Sequence, residues 1–124
     1  MSGETGRFVV HEHTTDAGVH WDLMLEMGEA LGTYRLRQAP AKAAQGPIGA
    51  VKILDHTLKF LAYEGPVQKG AGSVRLIDMG RYQSGHRDSD LIELRLAGQI
   101  LTGQYVLTHV GGDEWEFAAK SRFE

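Results

Sequence analysis

Three side chains near the start of the chain have the types and spacing of a divalent-metal site: His13, His20 and Asp22. In an extended segment alternate residues face the same way. His20, Asp22, Met24 and Glu26 therefore share one face, while Trp21, Leu23 and Leu25 form an apolar stripe on the other. An imidazole and a carboxylate two positions apart on a strand stand about 7 Å apart at Cα and converge on one ion when the side chains lean together. Upstream, His11 and His13 are also two apart, and Thr14 to Val19, with Asp16 and Gly18, supplies a turn back that brings His13 towards His20. Two nitrogens and one carboxylate oxygen suit manganese, iron or zinc and leave coordination positions open, as a catalytic metal requires. Isolated histidines are usually solvated, and this chain has six of them in 124 residues. On residue types alone, a ligand set and an incidental cluster both stay open.

The elements that must position these residues read as short strands separated by glycine-containing turns. Candidate strands cover Arg7 to His11, His20 to Met27, Thr33 to Arg37, Ala50 to Leu54, Leu58 to Tyr63, Ser73 to Ile77, Leu91 to Leu96, Ile100 to Thr108 and Glu114 to Ala119. Turn signals lie between them at Gly28-Glu29, Gly46-Pro47, Gly65-Pro66, Gly70-Ala71-Gly72, Ala97-Gly98 and Gly111-Gly112-Asp113. The pattern predicts an all-β domain: a small β-barrel of roughly eight short, mainly antiparallel strands, with little helix beyond Ala39 to Gln45. Trp115 and Phe117 share a face of the last strand and are expected to close the core.

Composition bounds the function. With 42% hydrophobic and 23% charged residues the chain reads as one globular domain over residues 1–124. No apolar run has the length of a membrane span, and Met1 to Arg7 carries no signal-like apolar stretch. The absence of cysteine removes disulfides and thiolate zinc sites, and a cytoplasmic monomer is expected. Thirteen Lys and Arg against sixteen Asp and Glu, a formal charge of -3, argue against a protein that coats duplex nucleic acid. That balance leaves room for one that grips a single strand end.

Six short motifs occur in the order found in one family. Phe8-Val9-Val10-His11-Glu12-His13 followed by His20-Trp21-Asp22-Leu23-Met24-Leu25-Glu26 resembles the opening of the 3′-phosphoesterase domain of bacterial DNA ligase D. Asp55-His56-Thr57-Leu58, Tyr63-Glu64-Gly65, Gly70-Ala71-Gly72-Ser73-Val74, Asp78-Met79-Gly80-Arg81-Tyr82 and Leu101 to Leu107 are similar to its later motifs. The resemblance implies a small β-barrel and a divalent-metal enzyme, manganese first and zinc second, that removes 3′-terminal ribonucleotides or phosphates in DNA repair. It implies His13, His20 and Asp22 as metal ligands and His56 as the catalytic histidine beside the scissile phosphate. It further implies that nucleic-acid 3′ ends are the partner, with repair ligase and polymerase modules acting in trans on a stand-alone chain. His11 stands where the family has glutamine and is expected to be incidental or to sit behind the ligands. His86 and His109 match nothing and are expected at the surface.

The match breaks at several points. Met24 replaces an arginine that clamps phosphate, a job a thioether cannot do. Leu54 replaces a glutamate, the turn between His13 and His20 is one residue longer, and the segment before Gly70 is shortened. Arg35 or Arg37, on a neighbouring strand, and Lys52 are the candidate replacement cations. The competing readings are a catalytically impaired metal- or DNA-end-binding module of the same fold, and a cupin-like barrel binding metal through His11 and His13. The cupin reading fits poorly, because its nearby acid would be Asp16, on a turn.

Overall fold

A computed structural model describes residues 4–67 and 70–120, so Met1 to Gly3, where the polar amino terminus begins, lie outside the described residues. The strands are β1 (Thr5–Thr15), β2 (Gly18–Met27), β3 (Ala30–Leu36), β4 (Ile48–Thr57), β5 (Gly65–Pro66), β6 (Ser73–Arg87), β7 (Leu91–Ala97), β8 (Thr102–Gly111) and β9 (Glu114–Ala119). Neighbours run β1-β2-β3-β4-β9-β8-β7-β6, and β1 pairs back onto β6. The ring thus closes as the antiparallel all-β barrel expected from the turns, with β5 hydrogen-bonded to the start of β6. Closure removes the free edges that an open sheet would expose.

Strand alternation divides the side chains between two clusters. Phe8, Val10, Leu23, Leu25, Tyr34, Leu36, Ile48, Leu94, Leu96, Leu107 and Phe117 fill the interior, with Trp21 and Trp115 packed against them. The other face of β1, β2 and β3 carries a second cluster of Val9, Met24 and Leu31. It is covered by Leu58, Phe60 and Leu61 and flanked by Leu76.

That cover corrects one expectation. Leu58 to Tyr63 is not a strand: Leu58–Leu61 forms one 3-10 turn, following the end of β4 at Thr57. Its apolar residues pack on the outside of the barrel, where no ladder position is free. The short helical stretch near Ala39 is a 3-10 helix at Pro40–Ala44. β6 is far longer than the expected Ser73 to Ile77 and runs through Asp78-Met79-Gly80-Arg81-Tyr82.

This last motif holds the barrel's seam. The Asp78 carboxylate, 4% exposed, accepts backbone N–H groups from Gln99 at 2.7 Å, Ile100 at 3.1 Å, Leu101 at 2.7 Å and Met79 at 3.0 Å. It satisfies the donors of the turn between β7 and β8 that have no strand partner. Two residues on, a Cβ at Gly80 would sit 2.1 Å from the Ala97 carbonyl oxygen, so only glycine lets the strands approach there. Tyr82 donates its hydroxyl to the Glu26 carbonyl at 2.7 Å. Asp78→Ala should strand these buried donors and lower stability by about 3 kcal/mol, measured as a shift of the urea midpoint. A shift under about 1 kcal/mol would remove the carboxylate from its role in the seam.

Candidate metal centre

The β1–β2 hairpin sets the site by register. His13 pairs with His20 and His11 with Asp22, and Asp22 in turn pairs with Arg35 on β3. Because Trp21, Leu23 and Leu25 turn inward, His20, Asp22 and Met24 turn outward beside His11 and His13. Ligand atoms of His13, His20 and Asp22 lie within 4.8 Å of one another. His20 Nε2 is 3.8 Å from Asp22 Oδ2.

The donor chemistry fits a cation. The Ala71 carbonyl lies 2.7 Å from His13 Nε2 and can only accept, so that nitrogen carries the proton. His13 Nδ1 then offers its lone pair, which receives the Nε2–H of His20 at 2.8 Å when both rings are neutral. A single proton thus occupies the point on which two imidazole nitrogens converge, and Asp22 faces the same point. An outer N–H held by a carbonyl is the usual way a ligand imidazole is oriented. Gly72 makes this contact possible. It takes φ +93°, and a Cβ there would lie 2.0 Å from the Thr14 carbonyl oxygen. Only glycine lets the 70–72 loop press close enough on β1 for Ala71 to reach His13.

Around the triad lies a cavity of about 410 Å³, lined by His11, His13, Asp22, Met24, Arg35, His56, Phe60, Val67, Ala71 and Val74. His56 sits near the end of β4. Its Nδ1 is 3.1 Å from both the Leu54 carbonyl and Thr33 Oγ1, whose hydroxyl already donates to the Leu31 carbonyl. His56 therefore donates from Nδ1, and among the described residues its Nε2 has no hydrogen-bond partner. Phe60 packs edge-on against His56 at 5.5 Å and His11 at 5.9 Å, so one ring steadies two imidazoles.

The candidate cations separate cleanly. Arg35 reaches the site, with Nε 3.0 Å from Asp22 Oδ1 and Nη2 3.4 Å from Oδ2. Arg37 is held by Glu114 at 2.9 and 3.0 Å, and Lys52 pairs with Asp55 at 3.2 Å. Met24 is 1% exposed and belongs to the outer apolar cluster, where it anchors the 3-10 turn instead of facing an anion. His86 is exposed and pairs with Asp88, and His109 is half-buried between Gly112 and Asp90.

Of its two expected places His11 takes the one behind the candidate ligands: it is 1% exposed, lines the cavity, and among the described residues neither ring nitrogen has a hydrogen-bond partner. The Phe60 backbone lies near but outside hydrogen-bond geometry. Leaving such a buried group unpaired costs about 1–3 kcal/mol. The sequence signal was its parity with His13, which the family's glutamine at this position obscured.

Burial holds both His11 and His20 below the ordinary histidine pKa, with the Asp22 charge opposing that shift in each. The unfolded chain therefore takes up protons more readily, so this stabilisation is complete above the ordinary value of 6.5 and is lost as pH falls below it. In metal-free buffer the melting temperature should fall between about pH 6.5 and pH 5, and His11→Leu should flatten that slope. A wild-type melting temperature constant across this range would contradict the assigned burial effect.

The DNA ligase D 3′-phosphoesterase domain model matches residues 10–109. The multifunctional non-homologous end joining protein LigD of Mycolicibacterium smegmatis is 28% identical over 129 residues, covering 92% of this chain and 17% of that protein. Six ordered motifs, a closed barrel and a match running from β1 into β8 point the same way, and the chain belongs to the DNA ligase D 3′-phosphoesterase domain family.

Proposed function

We propose that this chain is a divalent-metal-dependent phosphoesterase acting on 3′ ends of nucleic acid, removing a 3′-ribonucleotide or 3′-phosphate during DNA end repair. The observation that carries the reading is the convergence of His13, His20 and Asp22 within 4.8 Å, two of them, His13 and Asp22, on the wall of a cavity that also holds His56 and Arg35. These three residues would hold the ion. Manganese suits a set of two imidazoles and a carboxylate, and zinc is the alternative. The bound ion would supply Lewis-acid neutralisation of phosphoryl oxygens and a more acidic water.

The chain's own residues supply the rest. Asp22 and Arg35 cancel in charge, so the unloaded site is near neutral and does not repel a phosphate. Arg35 holds Asp22 through Oδ1 at 3.0 Å and, at the longer 3.4 Å, through Oδ2, the oxygen that lies 3.8 Å from His20 Nε2. His56, anchored through Nδ1, presents Nε2 for proton exchange with the leaving oxygen, and imidazole is the side chain suited to that near neutral pH. Phe60, Val67 and Val74 contribute apolar groups to the cavity wall. The name of the mycobacterial relative places its whole chain in non-homologous end joining. Repair ligase and polymerase modules are therefore the proposed partners, with the strand end as substrate and a single domain over 1–124 as the acting unit. Among the described residues no helix is long and apolar enough to cross a membrane, which suits a cytoplasmic setting.

Met24 favours a second reading, in which the site holds metal and a strand end without turnover, since its apolar burial removes one cation from the cavity. Manganese titration with primers ending in a 3′-phosphate or a 3′-ribonucleotide separates the two. Product that depends on metal, and a loss of at least about a hundredfold in kcat for His56→Ala, is expected of an enzyme with a general acid. Asp22→Ala should lose manganese binding in calorimetry. Tight manganese binding with no product at high protein concentration would favour the binding module, and unchanged metal affinity in Asp22→Ala would overturn the site.

A further inference from the structure

His11 is the one residue whose buried side-chain nitrogens lack any partner among the described residues. It is also not one of the three converging ligands, whose atoms are drawn from His13, His20 and Asp22 alone. Its place is specific. On three adjacent strands the cross-strand row reads His11, Asp22, Arg35, so Asp22 has an imidazole on one side and a guanidinium on the other. All three line the same cavity, with the His13–His20 pair on the neighbouring row. Arg35 spends donors on Asp22, whereas His11 spends none. A neutral imidazole always carries one N–H, and here the nearby Phe60 backbone lies outside hydrogen-bond geometry, so among the described residues this donor stays unsatisfied and is available to something that enters the cavity.

We propose that His11 is a binding residue for the phosphoryl group. It donates its N–H to one non-bridging oxygen, while the Arg35 guanidinium on the far side of Asp22 takes another. The pair does from two strands what Met24 does not do from one. This rests on the phosphoester reading above and deepens it by naming the anion-binding residues.

Two variants test it. His11→Leu replaces the ring with an apolar side chain of similar size, and His11→Gln keeps an N–H donor of similar reach. Inorganic phosphate is titrated calorimetrically into the protein with and without manganese, beside thermal melts and manganese titrations of each variant. His11→Leu is expected to weaken phosphate binding about tenfold or more, the worth of one hydrogen bond to an anion. Its manganese affinity should stay within about twofold of wild type, since the ligand set is intact, and its melting temperature should be equal or higher, because an unsatisfied buried group has been removed. His11→Gln should recover most of the phosphate affinity. Phosphate binding by His11→Leu equal to wild type would overturn the proposal alone. A manganese affinity that falls in step with phosphate would make His11 a ligand, and a lower melting temperature would make it a packing residue; either result overturns the assignment. A wild-type protein that binds no phosphate, with or without manganese, overturns this proposal and the phosphoester reading together.

Discussion

The register of the β1–β2 hairpin is the constraint on which the rest depends. Leu23 and Leu25 must face the barrel interior with Phe8 and Val10, and this leaves His20, Asp22, His11 and His13 on the opposite side. A slip of one residue would drive an imidazole and a carboxylate into the core and put leucines outside, a cost no other interaction here can offset. The apolar stripe therefore places the candidate ligands as firmly as it places the core. His13 against His20 and His11 against Asp22 are consequences of burying two leucines.

The outer face is not a bare polar surface, and charges there interact more strongly than they would in open water. Residues 58–67 and 70–72 fold back over that face. Met24, Val9 and Leu31 supply the apolar footing, Leu58, Phe60 and Leu61 settle on it, and Gly72 lets the far end of the segment touch β1. Met24 thus exchanges a possible charge for adhesion of the cover. The same cover brings Phe60 against His11 and His56 and carries Ala71 to His13.

Polar groups in the region are divided between those that are satisfied by the fold and those left with capacity. Glu64 accepts the Leu76 N–H at 2.8 Å, and Asp78 takes four backbone donors; both are scaffolding. His56 is half-used, anchored at Nδ1 with Nε2 free, and His11 is unused. That gradient from saturated to unsaturated groups points towards the cavity, as expected where chemistry is to be done on an incoming ligand.

The sequence by itself determined the barrel, most of its turns (Gly65-Pro66, expected as a turn, is the short strand β5) and the outward face of His20-x-Asp22, because period-two alternation and glycine turns are local properties of the chain. Motif order carried the family, strengthened His13 as a candidate ligand and added His56. It mistook Leu58–Leu61 for a strand, since a short apolar run has no period that distinguishes a ladder strand from a segment packed on a sheet. Only the tertiary structure decided what meets across strands: Arg35 at Asp22 while Arg37 goes to Glu114, Met24 under Phe60, and His11 buried without a partner. Those outcomes depend on register between β1, β2 and β3 and on where the 3-10 turn at Leu58–Leu61 lands, which are long-range facts that no local pattern encodes.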